Sequence, residues 1–351
     1  MAQQPPQQAQ LQQDAYTALT TCFNAHPNKV LEIEILPPSH EPTNALILQD
    51  GTCIGVPKKV LVLAFLHARA LFFATKAAGS PSSHLLDEGP ERKAIETTRV
   101  ILLFDPEHLT AANYRKRYLL SVPEGKQRYA HARAELYFLD SILTSPLHRQ
   151  SKSPTLWALR AHVLEYLLPP VDAGVAPSTE FHDAPLDVHE LMERELGAVC
   201  KSGERHPKNY YAWQYARRLV SGVEVRMSND TDTWSALVKQ SVDTVKRWCC
   251  VHPSDISGWM FLAWLFRYAG VETKGEVLRG VVEYAVSVQL GNESLWVFVR
   301  MVVADGGVAR GDVEEVMGRL AQLGGKDVEG EEVPLFAQRV SQTRAWVERY
   351  R

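Results

Sequence analysis

The side chains of this sequence that could do chemistry are its cysteines and a set of cations that recur beside aromatics. The cysteines, Cys22, Cys53, Cys200, Cys249 and Cys250, are scattered and lack the paired spacing of a zinc site, so no metal set is expected in this chain. They read as buried thiols of a reducing compartment, and a cytoplasmic location is the expectation. What does recur is a helix junction. His206-Pro207-Lys208-Asn209-Tyr210-Tyr211-Ala212-Trp213-Gln214-Tyr215 holds a proline that cannot extend the preceding helix, an asparagine able to cap the next, and a tryptophan one turn further in. Arg217 and Arg218 follow, with stems that can cover apolar surface while their heads stay wet or bridge neighbouring helices.

The arrangement returns at Lys152-Ser153-Pro154-Thr155-Leu156-Trp157-Ala158-Leu159-Arg160, at His252-Pro253 through Trp259, and at Gly291-Asn292 through Trp296 and Arg300. An earlier copy, Asp105-Pro106 through Tyr114-Arg115, has Ala112 at the tryptophan position. The anchors are separated by 45 (157−112), 56 (213−157), 46 (259−213) and 37 (296−259) residues, spacings that fit helix pairs with loops of variable length. The predicted fold is therefore all-α, an α-α superhelix built as a right-handed solenoid of helical hairpins. Trp157, Trp213, Trp259 and Trp296 are its structural anchors, and a small β-hairpin element precedes it.

In order along the chain, residues 1–13 are rich in Gln and Pro and read as a disordered arm. Residues 14–90 hold a short helix near Ala15 to Ala25, a β-hairpin or meander from the alternation in Val30 to Leu36 with an Asp50-Gly51 turn, and a long helix from Pro57 to about Ala78. Five repeats fill 91–310, and residues 311–351 supply capping helices. Gly79 to Pro90 and Pro169 to Pro185 are polar, proline-bearing insertions, the second accounting for the longest anchor spacing. Val60 to Ala74 is apolar but interrupted by His67 and Arg69, too short and too polar to span a membrane. With 38 Lys plus Arg against 41 Asp plus Glu there is no general attraction to polyanions, which sets nucleic acid aside as a principal partner. No secretory signal opens the chain and no cysteine lies at its end, so neither secretion nor a prenylated tail is expected.

Taken together, the repeats resemble those of the α subunits of protein prenyltransferases, which carry Pro-x-Asn-Tyr-x-x-Trp followed by Arg; the likeness covers Glu91 to Asp305. Within that family Lys152-Ser153-Pro154, Ser254-Asp255 with Ser257-Gly258, and Asn292-Glu293-Ser294-Leu295-Trp296 look most like the geranylgeranyltransferase type III α subunit. The resemblance implies a crescent of helix pairs wrapped on a separate β subunit, expected to be of the Rab geranylgeranyltransferase type. That subunit would hold the zinc and the prenyl diphosphate, with no cofactor in this chain. The reaction so implied is attack of a zinc-bound cysteine thiolate, from a cysteine-tailed protein such as a SNARE, on the first carbon of the prenyl diphosphate. Carried over residue by residue, Lys152 is the catalytic candidate, reaching the leaving diphosphate from five positions before Trp157. Lys208, Asn209, Tyr210, Tyr211, Arg115, Arg160 and Arg217 are expected to face the diphosphate or the β subunit.

Departures are visible too. Pro154 stands where family members often carry tyrosine, Tyr211 where farnesyltransferase α subunits carry histidine, and the arginine three residues after the anchor becomes Ala216, Leu262 and Val299 in later copies. Read for packing alone, Lys152 is a solvated lysine at a helix entrance, Asn209 a cap and the tyrosines inter-repeat filler. The alternative function is a non-catalytic helical scaffold on the same fold.

Overall fold

A computed structural model describes residues 6–40, 42, 44–77, 90–168, 187–323 and 333–350. Apart from Pro90, the two expected insertions lie outside these residues. The first helix, α1 (Pro6–Ala25), starts well before Ala15, so the expected disordered arm is helical from Pro6 onward. Glutamine is a good helix former, proline is harmless in a first turn, and Ala15, Leu19, Cys22 and Phe23 form the buried stripe that orders the helix. Three strands follow, β1 (Glu32–Leu36), β2 (Leu48–Asp50) and β3 (Cys53–Pro57), with a 3₁₀ turn at Pro38–His40 between the first two.

The strand order is β1-β3-β2. β2 and β3 form the expected hairpin, turning through Gly51 at a φ of 57°, but β1 runs parallel to β3, so the unit is neither a lone hairpin nor a meander. The outer edge of β1 is closed by side chains: Leu31 and Ile33 donate backbone N–H bonds to Ser141 Oγ (2.9 Å) and Ser145 Oγ (2.7 Å). That leaves those edge amides partnered without a further strand. Pro57 ends β3, one residue ahead of the helix it was expected to open.

The rest is helical. One compact unit runs to Gly222 and holds α2 (Lys58–Ala77), α3 (Pro90–Phe104), α4 (Leu109–Ser121), α5 (Lys126–Leu143), the single turn α6 (His148–Ser151), α7 (Pro154–Leu164), α8 (Val188–Arg205) and most of α9 (Tyr210–Arg226). A second unit, from Val223, holds α10 (Thr231–Val251), α11 (Ile256–Leu265), α12 (Val271–Ser287), α13 (Glu293–Ala304), α14 (Arg310–Leu323) and α15 (Leu335–Tyr350). The fold is an all-α helical repeat with a small strand element near its start.

Each junction is built alike. His108, Ser153, Asn209, Asp255 and Asn292 lie four residues before Ala112, Trp157, Trp213, Trp259 and Trp296, and each is the residue preceding its helix or its helix N-cap. The first four accept a backbone bond through their side chains, from Ala111, Leu156, Ala212, and Ser257 with Gly258 respectively. The tryptophans are there for more than bulk. The indole N–H of Trp157, Trp259 and Trp296 donates to the carbonyl six residues earlier, Ser151, Pro253 and Leu290, at 2.9, 3.1 and 2.8 Å. A buried anchor thereby satisfies a carbonyl that the chain frees as it leaves the preceding helix. Rings also meet two positions beyond the next anchor: Trp157 on Tyr215 at 5.3 Å and Trp259 on Phe298 at 5.2 Å.

Candidate functional site

The candidate site lies at the junction of α6 and α7, where Lys152 stands between two buried serines. The carbonyl of Ser151 accepts three donors, Trp157 Nε1 (2.9 Å), Asn209 Nδ2 (2.8 Å) and Ser202 Oγ (3.1 Å). Ser153 donates to Pro106 O at 3.1 Å while capping α7. With both neighbours bolted inward, Lys152 is exposed on a rigid backbone, and no ion pair occupies its ammonium among the described residues. Pro154 opens α7 at its first turn and supplies no hydroxyl beside it.

The same clamp fixes Lys208. Asn209 reaches Ser151 O because Lys208 adopts a φ of 61°, a left-handed conformation that a non-glycine residue enters at some cost. Lys208 and Tyr210 are exposed and Tyr211 half-buried, the two tyrosine rings meeting edge-on at 5.5 Å. His148 and His206 join this surface, with ring nitrogens 3.0 Å apart. The junction thus brings Lys152 and the Lys208 segment together, because one carbonyl holds both.

Other predicted site residues are turned inward. Asn209 is fully buried, its carboxamide engaged by Ser151, Ser202 and the Ala212 amide, so it is a clamp and cannot meet a diphosphate. Arg115 is buried and pairs two-pronged with Glu135, adding bonds to Thr98 Oγ1 (2.7 Å) and Ile95 O (3.0 Å). Arg160 is likewise enclosed, with Nε 2.7 Å from Glu195 Oε2 and Nη1 2.7 Å from Asp140 Oδ1. Arg194 completes the group on Asp140 Oδ2 at 2.9 Å, and Tyr215 donates to Glu195 Oε2 at 2.5 Å. Arg217 is half-buried and donates to the Trp213 carbonyl of its own helix.

Burial alone would lower the Arg160 pKa, but Asp140 and then Glu195 outweigh it and hold it well above the usual arginine value. Burial, reinforced by the Glu195 charge, holds Tyr215 well above the usual phenol value, so it stays a proton donor. The two arginines occupy one repeat position, three after the anchor, and each takes a glutamate from the first helix of the next repeat. In the later copies that position is Ala216, Leu262 or Val299, each fully buried in apolar core. Sequence reasoning missed the acids. A signal existed: Glu195 shares a helix face with Leu191, Met192 and Val199, and Asp140 with Leu136 and Leu143, so each charge stands on an apolar stripe.

Among the described residues no group of three or more His, Cys, Asp or Glu side chains is assembled that could hold a metal. Nor is any described helix long and apolar enough to cross a membrane.

The junction register, with its N-cap, anchor and inter-repeat arginine, defines a helical-repeat protein similar to the prenyltransferase α-subunit repeat proteins. Relatives agree with that likeness. The chain is 24% identical to protein prenyltransferase alpha subunit repeat-containing protein 1-A of Xenopus laevis, over 71% of this chain and 52% of that protein. It is 22% identical to protein prenyltransferase alpha subunit repeat-containing protein 1 of Homo sapiens over 76% of this chain and 61% of the relative, and 22% to that of Danio rerio over 69% and 52%. The chain thus spans somewhat over half the length of the curated relatives it matches. Residues 180–279 also match the ECM9 middle domain.

Proposed function

We propose that this chain is the α-type subunit of a heterodimeric protein geranylgeranyltransferase. It pairs with a Rab-type β subunit that carries the zinc, and it supports transfer of an isoprenoid to a cysteine near the end of a substrate protein such as a SNARE. The observation that carries the reading is Lys152: exposed, without an ion pair among the described residues, and held by a clamped backbone five residues before a repeat anchor. An ammonium so fixed can stabilise charge developing on a departing diphosphate without reorganising. Lys208 and Tyr210 extend the same surface and would complete the diphosphate or partner contact.

Co-expression with a Rab-type β subunit, followed by co-purification and transfer of labelled isoprenoid, tests this. Lys152→Ala is expected to leave pairing intact and lower transfer about 100-fold, the effect of losing one preorganised charge donor. Absence of pairing with any prenyltransferase β subunit overturns the proposal. Pairing with transfer indifferent to Lys152 supports a second reading, a scaffold that kept the fold and lost the reaction. The presence of Pro154 in place of a hydroxyl-bearing residue favours that reading.

A further inference from the structure

α2 and α4 present apolar side chains to solvent on helices whose own charges are all basic, the start of α4 lying beside the Lys152 junction through the Ser153–Pro106 bond. Leu66 and Phe73 are each 40% exposed and lie seven residues apart on α2, two turns along one stripe. Leu109 and Leu120 are 63% and 54% exposed and lie eleven residues apart on α4, three turns along one stripe. The helices touch, since Phe72 meets Tyr114 edge-on at 5.3 Å and Phe73 lies against His108 at 6.4 Å. The α2 stripe therefore runs on to Leu109 at the start of α4.

The charges decide what could cover this face. Lys58–Ala77 contains Lys58, Lys59, Arg69 and Lys76 and no acid, a formal +4; Leu109–Ser121 contains Arg115, Lys116 and Arg117 and no acid, a formal +3. The whole chain is −3, so the remaining residues sum to −3 − 7 = −10. Arg115 is neutralised by Glu135, which leaves six cations around four exposed apolar side chains. Arg69 lies over the Phe73 ring at 5.5 Å, stem and ring forming one amphipathic surface. Three acids border these helices: Glu91 at the start of α3, felt by Tyr114; Glu107, which accepts from Thr155; and Glu124, paired with Arg128.

We propose that the α2–α4 face docks on an anionic phospholipid surface, the apolar side chains entering the headgroup boundary and the cations meeting lipid phosphate and carboxylate groups. A protein partner would need an acidic, apolar patch of matching shape. A bilayer offers negative charge beside hydrocarbon everywhere, which suits protruding side chains that line no groove. The proposal uses neither Lys152 nor a second subunit, so its test runs on this chain alone.

The test is co-sedimentation of the full chain with vesicles of phosphatidylcholine alone or with about 30 mol% phosphatidylserine. Binding is expected to the acidic vesicles, at least tenfold stronger than to neutral ones, and to weaken when salt rises from about 0.1 M to about 0.5 M. Lys58→Gln/Lys59→Gln/Lys76→Gln changes only exposed side chains and is expected to weaken partition by about fivefold per charge. Leu109→Asp, at a helix start that tolerates an acid, is expected to abolish binding with an unchanged circular dichroism spectrum. Equal partition to both vesicle types, or binding indifferent to both variants, overturns the proposal. So does a dimer that Leu109→Asp returns to monomer, since a second copy would then own the face.

Discussion

The buried Arg160 group makes a sharp quantitative prediction. Replacing Arg160 with leucine leaves the fully buried Glu195 with the Tyr215 hydroxyl and, at 3.9 Å, the Arg194 guanidinium, and makes Asp140 and Glu195 share that one remaining cation. Breaking one side of a buried pair costs about 3–5 kcal/mol, because the surviving charge is stranded in a medium that solvates it poorly. Replacing the pair together is a different matter. Arg160→Leu/Glu195→Leu removes both charges together, with leucine at the arginine position as at Leu262, and the double variant is expected to recover most of what the worse single loses, the Tyr215 hydroxyl left without its acceptor accounting for about 1 kcal/mol of the remainder. Urea unfolding of parent, both singles and the double, followed by far-ultraviolet circular dichroism, gives the cycle. The coupling should be several kcal/mol and favour the pair. A single variant costing under about 1 kcal/mol, or a double no better than the worse single, would refute the idea that these charges are present for each other.

Trp296→Phe strands the Leu290 carbonyl and should cost about 1–3 kcal/mol of stability by denaturant midpoint, which the indole bond at 2.8 Å accounts for. Gly258→Ala would place a methyl 2.6 Å from Trp248 Cζ3 and 3.1 Å from Cys249 Sγ, where α11 meets α10; thermal unfolding should show a loss of about 1–3 kcal/mol. Burial, with a lesser push from Glu204, raises the Cys200 thiol from 9.0 to about 12, and burial followed by Glu96 raises Tyr16 from 10.0 to about 12. A raised folded-state value means stability is complete below pH 9.0 and drains away between there and about 12, a slope that Cys200→Ala should flatten in a pH series of urea midpoints. Among thiols, exposed Cys53 should react with a disulfide reagent in the native protein well before buried Cys22, Cys200 and Cys249.

Much of the fold was legible because its determinants are local and repeated. Proline after a helix, a capping side chain and an aromatic four residues on can be read in one window, and each lies where the structure puts it. The misses are non-local. That Asn209 reaches back to Ser151, or that Arg160 needs Glu195, depends on which helices become neighbours, and a variable insertion separates the partners. The parallel pairing of β1 with β3 is hidden for the same reason, since strand alternation says which face is buried but not which strand lies alongside. At the start of the chain, low hydrophobicity concealed a helix that four buried residues suffice to hold. At the candidate site the clamp around Lys152 could not be foreseen, because a carbonyl shared by three donors has no signature in side-chain spacing.

Helical repeats are commonly treated as interchangeable bricks, and the distribution of arginine–glutamate bridges argues that these are keyed. Arg115 and Arg160 each project a charge that only a following repeat bearing the matching acid can receive, whereas Leu262 and Val299 offer nothing to such an acid. A chimaera that moved α8 and α9 to follow α11 would bury Glu195 against leucine. Recombination or duplication within this chain is thus restricted at the first repeats to cuts that keep donor and acceptor in succession, whereas the later repeats are joined by more exposed pairs, Lys239 with Glu276 and Arg279 with Asp312, that constrain their order less.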